Sequence, residues 1–346
     1  MPVAGPALIA PDSFKGTFAA TEVAAAIARG LRAGGMDAVE LPVADGGEGT
    51  LEALVADLGG ELVTATVTNP LGREIEAELG LFDDGPAREG TRGKTKAGEP
   101  TAVVECARAS GLGLVAEGER DAFEASTRGT GELIVAAVEA GARRVIVTVG
   151  GSATTDGGAG AIAALEDAGI KPKLEVWCDT RNAWEDAPRL FAPQKGADAD
   201  TVKRLSRRLA RLAAKAPRDP RGVPLSGAAG GLSGGLWAWC GAQLVPGAPA
   251  VLNAVGFDDL MRAAPFVVTG EGCLDRLTFQ GKAVFEVATR ARQSGVACHA
   301  IVGSSTIDTF EERILDLQTL TEATTLGEME AAGRALAETV LASATT

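Results

Sequence analysis

Histidine is almost missing from this chain of 346 residues: His299 stands alone, inside the apolar stretch VACHAIV. A histidine-based catalytic triad or a multi-histidine metal site is thereby nearly excluded. Any general base falls to a carboxylate or a lysine. His299 itself reads as a strand residue with a satisfied side chain. Cysteine is sparse and scattered, at Cys106, Cys178, Cys240, Cys273 and Cys298, with no CxxC pair. That excludes a disulfide framework or a zinc site and predicts buried thiols in a reducing compartment. Positive charge is in deficit, with 33 Lys+Arg against 46 Asp+Glu and a net charge of −13. Such a balance disfavours nucleic acid and anionic membrane surfaces as partners. No apolar run approaches the roughly 18 residues of a membrane span, and no leader-like segment is visible. The expected setting is the cytoplasm, with a homo-oligomer left open.

What the chain does have is glycine-rich turns between strand-like and helix-like segments. The fullest runs from Val145–Val149 through Gly150, Gly151, Ser152, Ala153, Thr154, Thr155, Asp156, Gly157 and Gly158 into an alanine-rich helix. Strand, glycine turn and helix N-terminus converge unpaired N–H groups and a positive dipole end on one point, a recipe for holding an anion. Related turns carry PDSFKGT at 11–17, DGGEGT at 45–50, STRGTG at 126–131 and TGEG at 269–272. Several in one chain predict a cleft for a multiply charged ligand.

The side chains on these turns are the candidate site. Lys15 lies between a strand end and a helix start and is expected to contact phosphate or carboxylate, with Asp12 and Ser13 beside it. Asp45 and Glu48 are expected to bind substrate hydroxyls or a metal. Arg128, at a helix N-terminus, is placed to fork onto a carboxylate or phosphate. Asp179 follows the strand LEVWC, and Lys195 sits in APQKGA. Glu271 and Asp275 leave a strand end with Lys282 nearby. Two familiar nucleotide motifs fail on inspection. Gly93–Lys94–Thr95 imitates the end of a P-loop, but Arg88 stands where its first glycine belongs. Gly158–Ala159–Gly160 opens a dinucleotide fingerprint that ends on Ala163.

Strand and helix patterns alternate. Ala7–Ala10, Val39–Val43, Leu62–Thr68, Leu174–Cys178, Pro265–Thr269 and Val296–Val302 read as strands. Glu76–Phe82 and Thr101–Cys106 read as a pair flanking a charged surface loop at 83–100. Trp237 and Trp239 read as packing residues on a helix. The reading is α/β: a Rossmann-like parallel-sheet domain of residues 1–60 and 248–346, with a second α/β domain, 61–247, inserted in it. Ligands are expected between them, at strand carboxyl ends.

Taken in order, APDSFKGT (10–17), PVADGGEGT (42–50), NPLG (69–72), ASGL (109–112), TRGTGELI (127–134), GGSATTDGGAG (150–160), CDT (178–180), PQKGA (193–197), GAAGG (227–231) and TGEG with Asp275 and the GK at 281–282 resemble bacterial glycerate kinases of the first type. The resemblance runs across almost the whole chain. It implies phosphoryl transfer from ATP to D-glycerate with Mg²⁺, at the 2-hydroxyl, with the 3-hydroxyl as the alternative. The resemblance marks these motifs without assigning their roles. Phosphoryl-transfer chemistry needs charge neutralisation and a base or metal ligand, and the expected residues are Asp179 and Asp275 as metal ligands or base, Lys15 and Lys195 as charge-neutralising groups, and Arg128 on the glycerate carboxylate. Gly150, Gly151, Ser152, Thr154, Thr155, Asp156, Glu271 and Lys282 are the expected nucleotide contacts. The chain departs from the family pattern in a short segment before Cys178, in Asn182–Ala183–Trp184 and at Ala192. A non-catalytic binder of anionic metabolites is the competing reading. A phosphatase is weaker, since the chain has neither a DxDx motif nor a histidine cluster.

Overall fold

A computed structural model of the protein describes residues 5–83 and 99–344. Most of the charged loop expected at 83–100, with Gly93–Lys94–Thr95, lies outside the described residues. Along the chain the strands are β1 (Ala7–Pro11), β2 (Ala38–Glu40), β3 (Glu61–Thr68), β4 (Glu74–Phe82), β5 (Thr101–Glu105), β6 (Arg144–Val149), β7 (Lys173–Cys178), β8 (Gln243–Pro246), β9 (Phe266–Gly270), β10 (Cys273–Leu274), β11 (Ala297–Val302), β12 (Ser304–Ser305) and β13 (Leu317–Glu322).

Two main sheets hold these strands. One has the order β13-β11-β9-β1-β2 and is parallel throughout. Its strands come from both ends of the chain. The other has the order β3-β4-β5-β6-β7-β8 and takes all its strands from the middle. There β3, β4 and β5 pair antiparallel, and β5 to β8 run parallel. The protein is therefore two α/β domains, one inserted in the other. Burial explains the strand sequences: β1, β5 and β9 are buried at every residue and read as continuous apolar or small runs. β3 alternates exposed with half-buried positions, as an edge strand does.

β2 is shorter than the expected Val39–Val43. Pro42 cannot donate to a ladder, yet Leu41 N still donates to Ile9 O at 2.8 Å and Val43 N to Pro11 O at 2.9 Å. The chain thus stays alongside β1 and delivers Asp45 to the same edge. Helices Ala20–Ala33 and Leu326–Ala344 cover one face of the first sheet, burying Ile27 and Leu31 with Met329 and Ala337. His299 sits in β11, its Nδ1 2.8 Å from Thr319 Oγ1 and its ring edge-on to Phe266. Cys106, Cys178 and Cys298 are buried as expected and Cys240 partly so, but Cys273 is exposed. No helix among the described residues is long and apolar enough to cross a membrane.

Candidate active site

The site starts at the end of β1. Flanked by β9 and β2, this buried strand carries Asp12 to the middle of its sheet's carboxyl edge. Asp12 is 3% exposed, and one carboxylate oxygen accepts from Ser13 N at 2.7 Å. Three residues after Asp12, the half-exposed Lys15 reaches back to pair with Asp45 at 3.4 Å. Asp45 is buried, and its Oδ1 accepts from Gly47 N at 3.0 Å, closing the DGGEGT turn on itself.

The inserted domain meets this turn with its own strand ends. Val149 at the end of β6 leads into Gly150, and Cys178 at the end of β7 leads into Asp179. At Gly150 the approach forbids a side chain. A Cβ there would lie 2.7 Å from both Gly47 Cα and Asp179 Oδ2. The glycines of the two turns therefore let one domain's carboxyl edge rest on the other's.

Burial sets the electrostatics. It pushes the Asp12 carboxyl up to about 8 and the Asp179 carboxyl up to about 7, each reinforced by the charge of Asp45 and opposed by Lys15. Asp45 in turn holds the Lys15 ammonium well above its ordinary range. Lys195 is 2% exposed and donates to Ser152 Oγ at 2.9 Å and to Thr154 O at 2.6 Å. Burial brings it down to about 8, against the opposing pull of Cys106 and Asp179. Cys106 lies behind this turn. Its thiol donates to Gly150 O at 3.3 Å and is pushed up to about 12 by burial.

Three cavities open around the acidic group. One of about 510 Å³ lies on the β1–β9 side, lined by Asp12, Lys15, Glu271, Cys273, Lys282 and Ser304 among others. A second, of about 420 Å³, is lined by Ser13, Lys15, Glu48, Glu105 and Arg108 among others. Ser13, Lys15 and Thr17 border both and form their common wall. The third, about 40 Å³, is enclosed by Gly150, Gly151, Ser152, Asp179, Gln194 and Lys195 with their neighbours.

The profile of the glycerate kinase family matches residues 7–171 and 166–344. The chain belongs to the glycerate kinase family. It is 40% identical over 343 residues to the glycerate kinase of Bacillus subtilis (strain 168), spanning 87% of this chain and 85% of that one. It is 37% identical over 340 residues to the glycerate 2-kinase of Escherichia coli (strain K12), with 87% and 86% covered. The crystal structure of a glycerate kinase 2 candidate from Salmonella typhimurium LT2 superposes with a TM-score of 0.78 at 34% identity. That match covers 99% of this chain and 98% of the other.

On this glycerate kinase fold the residues singled out in the sequence fall into three groups. Asp12, Ser13, Lys15, Asp45, Glu48, Asp179, Lys195, Gly150, Gly151 and Ser152 come together at the meeting of the two carboxyl edges. Glu271 and Lys282, an ion pair at 3.0 Å, line the 510 Å³ cavity, whose lining does not include the GGSATTDGG turn. Of the three cavities, that turn lines the one of about 40 Å³, through Gly150, Gly151 and Ser152. Burial raises the Glu271 carboxyl. Lys282 is also raised, its pairing with Glu271 outweighing desolvation.

The third group serves the scaffold. Arg128 is held on the outside of the helix Arg128–Glu139 by Glu132 at 3.0 Å and Asp167 at 2.9 Å, and it lines none of the three cavities. The placement counts against its expected hold on a substrate carboxylate. Asp156 spends its carboxylate on Thr127 N, Thr127 Oγ1, Gly158 N and Gly160 N, all within 3.1 Å. Asp275 accepts from Leu277 N at 2.8 Å and shapes its own turn. It lines none of the three cavities and lies near Lys282. Thr154 and Thr155 are fully buried beneath the turn.

Two residues escaped the sequence reading. Glu105, 2% exposed, accepts from Gly49 N at 3.1 Å and Leu51 N at 3.0 Å, capping the helix Thr50–Leu58 from another strand. Arg108 follows it by three residues. The available signal was an acid at a strand end with an arginine one turn later, just before the ASGL motif.

Proposed function

We propose that this chain transfers the γ-phosphoryl group of ATP to the 2-hydroxyl of D-glycerate. One observation carries the reading: the Lys15 ammonium, paired with the buried Asp45 at 3.4 Å and in the field of Asp12 and Asp179, stands on the wall shared by two cavities of substrate size. A passive binder of anions gains nothing from buried carboxylates beside its ligand. A transferase needs them, because it must align a hydroxyl with phosphorus and manage both a proton and spreading negative charge.

In this reading ATP occupies the 510 Å³ cavity, where Lys282 and Lys15 face its phosphates. Glycerate occupies the 420 Å³ cavity across the Lys15 wall. Asp179, poised near neutrality, takes the proton of the attacking hydroxyl. The new O–P bond forms as the γ-phosphoryl leaves ADP, and Lys15 with Lys195 offsets the charge that spreads over the transferring oxygens. The E. coli relative's name, glycerate 2-kinase, supports the 2-hydroxyl as acceptor.

The donor set suits Mg²⁺. Asp12, Asp45 and Asp179 outnumber the lysines beside them, Lys15 and Lys195, an excess that a divalent cation would neutralise. Among the described residues no group of three His, Cys, Asp or Glu side chains converges to cage a metal. That fits an ion held by one or two carboxylates, phosphate oxygens and water. Asp12 and Asp45 would hold it, and when bound it supplies Lewis-acid neutralisation of the phosphates.

We assign residues 1–60 and 248–346 to the nucleotide-facing domain and 61–247 to the inserted one. The start of β3 at Glu61 and the end of β8 at Pro246 support these limits. The reading implies an enzyme of the cytoplasm. A coupled ADP assay with magnesium tests the reaction, with release expected only when D-glycerate is present. Phosphorus NMR of the product tests the position. One coupled proton marks the 2-phosphate and two mark the 3-phosphate.

A further inference from the structure

We infer that Arg108 binds the substrate carboxylate, with Glu105 as the residue that positions it. The inference rests on the kinase reading above and adds the group that selects an acid over a neutral polyol. Among the described residues, Arg108 is the only arginine lining any of the three cavities. The lysines there are engaged at buried partners: Lys15 on Asp45, Lys282 on Glu271, Lys195 on Ser152 and Thr154. A planar guanidinium offers what they cannot, two parallel donors matched to a carboxylate.

The partners of Arg108 differ in kind. Its Nε lies 3.9 Å from the buried Glu105, and its Nη1 lies 3.3 Å from Glu78. Glu78 belongs to β4 and is 41% exposed, so that contact is weak and easily exchanged. Glu105 is fixed. Its other oxygen accepts the two backbone N–H groups at the start of the helix Thr50–Leu58. That helix end is therefore already occupied by a protein carboxylate and is not available to the substrate's. Glu105 instead holds the guanidinium by its charge at 3.9 Å, and both residues line the 420 Å³ cavity. A carboxylate that replaces Glu78 there would leave the neighbouring hydroxyls of a small hydroxy acid beside Glu48 and Lys15. Those two residues line the same cavity, and carboxylates are natural acceptors for hydroxyls.

The test is steady-state kinetics of Arg108→Met, Arg108→Lys and Glu78→Gln, with KM for D-glycerate and for ATP measured separately. Arg108→Met is expected to raise KM for glycerate about 10- to 100-fold, the range for losing a hydrogen bond to a charged group. KM for ATP stays within about 2-fold on the same scale, because only uniform binding of one substrate is removed. Arg108→Lys falls between, and Glu78→Gln lowers KM for glycerate by releasing the guanidinium. Wild-type preference for glycerate over the neutral glyceramide collapses in Arg108→Met. An unchanged KM for glycerate in both Arg108 variants, or the rise appearing in Arg128→Met instead, overturns the assignment and leaves the kinase reading standing. Should Arg108→Met fail to fold, Arg108→Lys and Glu78→Gln decide, and no change in either overturns it. Wild-type protein that turns over no glycerate overturns the kinase reading and the inference together.

Discussion

Asp12 illustrates what the site costs the fold. Its carboxyl is raised from 3.8 to about 8, chiefly by burial and then by Asp45. The folded chain therefore binds that proton more tightly than the unfolded one, and stability falls as pH rises through this window. Asp12→Asn keeps an oxygen for Ser13 N and removes the charge. Thermal melts of wild type and Asp12→Asn are expected to lie close below about pH 4 and to separate from there toward pH 8, the variant melting higher by at least about 2 °C. Its turnover should drop on the order of 10²-fold, the usual exchange at a strained site. Parallel melting curves across pH would remove the burial argument. The same electrostatics shape the rate. Asp179 must be ionised to accept a proton, so kcat/KM rises through about pH 7. Lys195 must be protonated to offset charge, so kcat/KM falls through about pH 8. A narrow bell in the pH–rate profile is expected. In Lys195→Arg the alkaline limb should vanish, because a guanidinium does not lose its proton there.

Asp156 shows how an element can imitate a site. Its four accepted hydrogen bonds tie the start of the helix Arg128–Glu139 to the start of the helix Ala159–Asp167. Asp156→Ala leaves those buried donors unmet and is expected to cost at least about 3 kcal/mol. In a protein of this size that lowers Tm by about 4 °C, with Asp156→Asn recovering part of it. A melt unchanged within a degree would return Asp156 to the ligand side. Sequence could not separate the two roles. An acid in a glycine-rich turn before a helix reads the same whether its carboxylate meets a ligand or the backbone of a second helix, and the second helix is 29 residues away. Arg128 fails for a related reason: a helix N-terminus fixes where the backbone points, while Glu132 and Asp167 fixed the side chain. What was legible rested on strand ends. Lys15, Asp45 and Asp179 follow apolar runs that could only be buried strands, and parallel strands deliver such residues to one edge. Glu105 and Arg108 were missed because their meaning lies in contacts with Gly49, Leu51 and Glu78, all distant in sequence.

Across the whole molecule, the acidic cluster makes nucleotide binding depend on its counter-ion. Three buried carboxylates beside a polyphosphate repel it unless a cation intervenes. A non-hydrolysable ATP analogue with magnesium is expected to raise Tm clearly, by about 2.7 kcal/mol of linkage at a hundredfold excess over Kd. With a chelator present the same analogue should do much less. Equal shifts in thermal melts would count against Asp12 and Asp45 as metal carboxylates.

The placement of β1 between β2 and β9 reaches back to the ribosome. The first strand made, Ala7–Pro11, must wait for Phe266–Gly270 before its second neighbour exists. Every strand of the six-stranded sheet has by then been synthesised. The inserted domain is thus free to close while the N-terminal segment, with Leu8 and Ile9 destined for full burial, hangs exposed beside it. Nascent chains arrested with about 260 residues outside the exit tunnel should resist protease through the middle of the chain and be cut near its beginning, since domains fold as units during synthesis. Chaperones that shield apolar segments would find their longest client interval there. A circular permutant that opens the chain between the two domains and joins the native ends would shorten that interval, and faster appearance of protease-resistant protein in a translation extract is the expected result.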